Sequence, residues 1–215
     1  MDENPYAAPQ VDLVGDAGPG PMDGWTPGQL RLLGWLSLVS VVGTLCLTGL
    51  VVAAGATAEP LMADFSDWLG VALTFLGCYL LIRLKLFAEG RFAARGLAPP
   101  VWAVVGMSLG LELMDFFMGE ASTQPGWPMV LYFAVVALLG ALTAWLAVRL
   151  LKVQNAYPAF RVMAWLDLVG GIMMASIVLM LVGLLPLVGA NLAMMLVFFR
   201  AARELDARQE SVSLR

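Results

Sequence analysis

The sequence predicts an all-α polytopic membrane protein, with six transmembrane helices in three hairpins and both termini in the cytoplasm. Three observations carry that reading. Of 215 residues, 60% are hydrophobic and only 13% charged, whereas roughly a quarter of the residues of a soluble domain are charged. The apolar residues fall into six runs, each near the roughly 20 residues a helix needs to cross a bilayer. Lys and Arg gather in alternate connections, and cations collect on the cytoplasmic side of a membrane.

Residues 1–29 come before the first run. They hold Asp2, Glu3, Asp12, Asp16 and Asp23 with no Lys or Arg, and five prolines with five glycines. A secretory signal needs a cationic start followed at once by an apolar stretch, so this is an acidic tail. It has too few apolar residues to bury a core, and the expectation is a disordered cytoplasmic segment. Its charge gives it no attraction for nucleic acid or anionic lipid.

The first span, Leu30–Ala54, carries Arg31 and Trp35 near its start and the polar stripe Ser37, Ser40, Thr44 and Thr48. Its following loop has Glu59, Asp64 and Asp67 without a cation. The second span, Asp67–Phe87, opens on Trp68 and leads into Arg83, Lys85, Arg91 and Arg95. The third, Val101–Met118, begins at Trp102 and is followed by Glu120. The fourth, Trp127–Leu151, ends among Trp145, Arg149, Lys152 and Arg161. An indole near each span end fits the headgroup level, where amphipathic rings settle.

The last two spans come from one run, Val162–Phe199, broken only by Asp167 and Asn191. A single helix of that length overshoots a hydrocarbon core roughly 30 Å thick. Dividing it into Phe160–Val182 and Leu184–Arg203 puts the reversal at Gly183-Leu184-Leu185-Pro186, because proline restricts the residue before it. Arg200, Arg203, Arg208 and Arg215 then join the other cations, whereas a five-span reading leaves them on the wrong side. Residues 204–215 read as a cytoplasmic helical extension with a Glu204–Arg208 pair at i,i+4. The domain plan is therefore tail 1–29, bundle 30–203 and extension 204–215.

Composition also excludes function classes. Histidine is absent, which removes His-based triads, His metal sites and imidazole switches. The two cysteines, Cys46 and Cys78, lie inside apolar runs and read as packing residues. No Gly-rich phosphate loop, nucleophile elbow or zinc motif is present. The expectation is a non-enzyme without cofactor or metal.

Charges inside spans are the default functional candidates, because placing one in lipid costs at least ~2.5–3.5 kcal/mol. There are three: Glu112, Asp115 and Asp167. Glu112 and Asp115 share a helical face with Ser108 and could act as a proton or cation relay, one ionising as the other keeps its proton. The plainer alternative is that both reach the outer interface. Gly106 and Gly110 form a G-x-x-x-G on the opposite face, suited to close helix packing. Asp167 leads a small-residue stripe with Gly170, Gly171 and Ala175, where hydrogen bonding between helices competes with an inner ion site.

Arg31 to Val39 aligns with Arg161 to Val169, matching Arg, Trp, Leu, Leu and Val, and Arg91-Phe-Ala-Ala-Arg95 echoes Phe199-Arg200-Ala-Ala-Arg203. Duplication of a hairpin is one explanation, and shared anchoring chemistry the other. On that alignment the faces of Ser37 and Asp167 correspond and are expected to meet in the bundle.

The opening Asn4-Pro5-Tyr6-Ala7-Ala8-Pro9 resembles the N-P-Y-x-x-P start of small proteobacterial inner-membrane proteins. The resemblance covers six residues and implies a bacterial inner membrane and a cytosolic tail, with no site or activity. Asn4, Pro5, Tyr6 and Pro9 are the tail residues through which a partner could dock. Together these features point to a scaffold or accessory subunit acting through helix packing and its tail. Its partners would be the bilayer and a membrane protein or a second copy, without nucleic acid. The alternative is a small proton- or cation-coupled transporter using the intramembrane carboxylates.

Overall fold

The computed structural model describes residues 22, 24–57, 60–118 and 125–213, and among these every regular element is helical. The helices are α1 (Pro27–Thr57), α2 (Pro60–Phe92), α3 (Ala98–Met118), α4 (Trp127–Leu151), α5 (Pro158–Ala175) and α6 (Met180–Ser213). All six are long and apolar enough to cross a membrane. Each packs against its neighbours in sequence and α6 returns to α1, so the described helices form a closed ring.

Proline explains where most of them begin. α1, α2 and α5 start on Pro27, Pro60 and Pro158, and Pro99 and Pro128 sit in the first turns of α3 and α4. The missing N–H is one the first turn leaves unbonded anyway. α1 adds a reciprocal cap: Thr26 N–H donates to Gln29 Oε1 at 3.3 Å and Gln29 N–H to Thr26 Oγ1 at 3.2 Å. That is the capping box.

α6 breaks the pattern and corrects the expected reversal. The turn between the last two helices lies at Ser176–Leu179, and Pro186 stands inside α6. The Ser176 hydroxyl accepts the Leu179 N–H at 3.3 Å and donates to the Met173 carbonyl at 2.7 Å, closing one helix while starting the next. Ile177 takes φ +58° to make the turn. The proline is absorbed because it falls early in a long helix that neighbours hold on both sides.

The folded chain also reaches further toward the N-terminus than the tail boundary at residue 29. Met22 is buried in the core, and Trp25 stands edge-on to Phe87 with ring centroids 5.8 Å apart. The guanidinium of Arg83 lies 4.6 Å from the Trp25 ring centroid. Asn4, Pro5, Tyr6 and Pro9 lie outside the described residues, as do Glu59 and Glu120.

The core is one-sided. Its buried apolar residues come from the starts of α1, α3 and α5 and the ends of α2, α4 and α6. Arg31 pairs with Asp206 here, and Trp35 meets Phe199 at 5.6 Å. Every described Lys and Arg falls at this end, hereafter the basic pole. Asp64, Asp67, Glu112 and Asp115 fall toward the other end, the acidic pole. Trp35, Trp68, Trp102, Trp127, Trp145 and Trp165 all face outward, as interfacial indoles should.

Candidate functional site

On α3, Val101 and Val105 are buried, and Ser108, Glu112 and Asp115 continue the same face at helical spacing. The two carboxylates are therefore half-buried against the bundle and do not point into lipid. Thr74 of α2 donates its hydroxyl to Glu112 Oε1, joining α2 to α3. Asp115 lies within electrostatic reach of Glu112 and of Asp67 on α2, and Tyr132 on α4 is within reach of both α3 carboxylates. The structure thus gathers Asp67, Thr74, Glu112, Asp115 and Tyr132 into one polar seam where α2, α3 and α4 meet. Thr74 and Tyr132 were not singled out in the sequence, where an isolated Thr or Tyr in an apolar run reads as span filler.

Asp167 is not part of that seam. It lies on α5, and α4 stands between α5 and α3. Nor do α1 and α5 meet, since α6 separates them. The expected meeting of the Ser37 and Asp167 faces is corrected accordingly. The hydroxyls of Ser37, Thr44 and Thr48 donate to the carbonyls of Leu33, Ser40 and Thr44 at 2.8–2.9 Å. They serve their own helix, not a partner.

The four expected packing glycines divide into two pairs. A Cβ on Gly171 would stand 2.7 Å from the Ala144 nitrogen and 2.8 Å from the Gly140 oxygen, so α4 and α5 touch backbone to backbone. A Cβ on Gly170 would stand 2.7 Å from Leu187 and 3.1 Å from the Gly183 oxygen on α6. Gly106 and Gly110, by contrast, have no neighbouring heavy atom within 4 Å of such a Cβ. Their face, with exposed Trp102, Leu113 and Phe117, is bare in the single chain.

A second polar constellation was invisible in the sequence. At the basic pole Arg91 is only 3% exposed, and its guanidinium donates to Glu204 Oε2 at 2.7 Å and to the Tyr157 hydroxyl at 3.2 Å. Tyr157 donates its own proton to the same Glu204 oxygen, and Arg200 approaches the other at 3.6 Å. Both arginines lie over the Tyr157 ring, at 5.9 and 5.1 Å from its centroid. Burial, and then the bond to Glu204, push the Tyr157 hydroxyl up to about 12. The carboxylate of Glu204 is thus bound by Arg91 and Arg200, a different pairing from the expected Arg208. One signal did exist: Arg91 continues the buried face Leu80, Leu84, Phe87 at helical spacing.

Among the described residues, no three acidic or thiol side chains are grouped so as to hold a metal ion. The chain matches no protein-family model, no curated protein and no solved structure.

Proposed function

We propose that the protein is a non-enzymatic accessory or scaffold subunit of a bacterial inner membrane, working by helix association with another membrane protein. The observation that carries this reading is the bare face of α3. Gly106 and Gly110 expose backbone to the lipid side with nothing covering them, flanked by Trp102, Leu113 and Phe117. Close backbone approach at small-xxx-small faces is how helices associate in lipid, where the hydrophobic effect gives no preference for protein over acyl chains. The spans are arranged as three hairpins with the basic pole in the cytoplasm, a reading supported by the separation of cations from acids. Both termini then lie inside, and the tail around Tyr6 provides a second contact.

The test is the double substitution Gly106→Leu with Gly110→Leu, in chains purified in mild detergent. The expected result is loss of co-eluting or self-crosslinked species with an unchanged melting temperature. An unchanged set of partners removes the α3 version of the reading. Deleting residues 1–20 tests the tail in the same assay.

A second reading is a small proton- or cation-coupled transporter. It is supported by the polar seam, where Thr74 holds Glu112 beside Asp115. If Glu112→Gln with Asp115→Asn leaves the cellular effect intact, this reading is dead.

A further inference from the structure

The connection between α5 and α6 is unlike the others at the acidic pole. Glu59 and Asp64 mark the α1–α2 connection and Glu120 the α3–α4 connection, whereas Leu168 to Phe199 carries no charge. The turn consists of Ser176, Ile177, Val178 and Leu179. Its three apolar residues are all exposed, Val178 by 90%, and Leu181 and Leu185 continue the exposed strip along α6. Such a tip is costly to hold in water, because nothing in the chain covers it.

Glycine contacts fix how far the tip reaches. A Cβ on Gly140 of α4 would stand 2.6 Å from the Ala175 nitrogen and 3.0 Å from the Met174 carbonyl carbon. The last residues of α5 are therefore level with Gly140, near the middle of α4 (Trp127–Leu151). α6 starts at the same depth, since a Cβ on Gly183 would stand 3.1 Å from the Met174 nitrogen. From Gly140 to Trp127 α4 runs on for roughly 20 Å, at about 1.5 Å per residue. That stretch holds no charged residue, and Trp127, Val130, Leu131 and Leu138 are exposed along it. It belongs in hydrocarbon, with the Trp127 indole at the far interface. A turn that stops beside Gly140 then lies beneath the membrane surface.

The backbone of the turn meets the condition that hydrocarbon imposes. Without water, each N–H needs a partner inside the protein. Ser176 N–H donates to the Ile172 carbonyl at 3.1 Å, Ile177 to Met174 at 3.3 Å and Met180 to Ile177 at 3.2 Å. Val178 N–H donates to the Ser176 carbonyl, a bond that the φ of +58° at Ile177 makes possible. Leu179 N–H goes to the Ser176 hydroxyl at 3.3 Å, and that hydroxyl donates to the Met173 carbonyl at 2.7 Å. Every N–H from Ser176 to Met180 is thus bonded, and the one polar side chain of the turn is fully engaged with it. Turns in water often lack even their defining hydrogen bond.

We infer that the α5–α6 turn is embedded in the hydrocarbon core, covered by the acyl chains of the leaflet at the acidic pole. α5 and α6 remain a hairpin, but one that enters from the basic pole and turns back before reaching the other surface. Its tip is a lipid-contacting surface made by Val178, Leu179, Leu181 and Leu185. The inference rests on α4 crossing the bilayer. It holds whichever pole is cytoplasmic and whether or not α3 recruits a partner.

Nitroxide labelling of the full chain in liposomes tests this, after Cys46→Ala and Cys78→Ala. Val178→Cys probes the tip, with Leu181→Cys as a second probe should the first variant misfold. Gly126→Cys, just before α4, and Asp64→Cys mark the acidic pole, and Arg95→Cys the basic pole. A nitroxide at the tip should collide readily with oxygen, which concentrates in hydrocarbon, and scarcely with a water-soluble nickel chelate. Nitroxides at Gly126→Cys and Asp64→Cys should show the reverse preference. In intact membranes an impermeant maleimide should label Gly126→Cys from one side and Arg95→Cys from the other. It should label Val178→Cys from neither side until the membrane is dissolved in denaturing detergent. Ready collision of the tip nitroxide with the nickel chelate would place the turn in water and overturn the proposal. Protection from both colliders would overturn it too, by showing that protein and not lipid covers the tip.

Discussion

Arg91 and Glu204 meet across 2.7 Å at the basic pole although 113 residues separate them in the chain. Their bond ties the last turn of α2 to the far end of α6, with Tyr157 from the α4–α5 connection sharing the same carboxylate oxygen. Three segments that no short-range rule brings together are fixed by one buried guanidinium. Because Arg91 is almost wholly buried, its partner is obligatory: an unpaired charge there has neither water nor lipid headgroup to turn to.

Removing that partner should therefore be costly. Breaking a fully buried pair typically costs ~3–5 kcal/mol, but Glu204 keeps about a third of its side chain exposed. Glu204→Ala should thus destabilise by about 2–3 kcal/mol, read as a lower melting temperature in detergent. Arg91→Met combined with Glu204→Leu should recover most of the loss, giving a coupling energy in a double-mutant cycle. Additive losses would show the two side chains to be independent.

Tyr157 predicts the alkaline behaviour of the same pole. Its hydroxyl is raised from its usual 10 to about 12, so the folded chain holds this proton more tightly than the unfolded chain. The sign follows from linkage: between pH 10 and 12 the unfolded state binds fewer protons, and stability falls as pH rises. The contribution is complete below pH 10 and lost as pH passes 12. Melting temperature should drop more steeply across this window in the native chain than in Tyr157→Phe. Parallel curves would remove Tyr157 as the cause.

The sequence made the six spans readable because span length and indole position are set by the bilayer, and the bilayer acts on every helix alike. The α4 boundaries, Trp127–Leu151, match residue for residue. Proline was the misleading signal. Five helices carry one in the first turn, and Pro186, which looks like a sixth boundary, is held inside α6 by its neighbours. Glu112 and Asp115 were readable as intramembrane charges, but their cover was not, since Thr74 and Tyr132 contribute only once α2 and α4 close on α3. Arg91 was hidden for a different reason. A cation beside a span end reads as a solvated loop residue until Glu204, on α6 with three helices between, arrives to bury it.

The two glycine pairs should respond oppositely to the same change. Gly171→Ala drives a methyl into the Gly140 carbonyl and the Ala144 amide, and backbone cannot step aside as a side-chain end can. Overpacking of this kind costs typically 1–3 kcal/mol, and separation of α4 from α5 puts the expected loss at about 3 kcal/mol. Gly106→Ala and Gly110→Ala meet open space, and should leave the melting temperature of the isolated chain unchanged or raise it slightly through helix propensity, by up to about 1 kcal/mol each. Thermal unfolding in detergent of the three single variants decides it. A Gly171→Ala chain as stable as Gly110→Ala would mean that α4 and α5 do not approach as closely as described.

Ile177 offers a test of the α5–α6 turn. It is a β-branched residue at φ +58°, a conformation that costs an ordinary L-residue roughly 1–2 kcal/mol and a branched one no less. Nothing compensates through packing, since Ile177 is 48% exposed. Ile177→Gly removes the side-chain clash, although the freer unfolded chain returns up to about 1 kcal/mol of that gain. The net expectation is a stabilisation of about 0.5–1 kcal/mol, seen as a higher melting temperature. Gly183→Ala, at the site the sequence had marked for the reversal, should instead destabilise, because its Cβ would stand 3.1 Å from the Gly170 oxygen and the Met174 nitrogen. If glycine at 177 destabilised while alanine at 183 were tolerated, the reversal would lie at Pro186 after all and the register of α6 against α5 would have to shift.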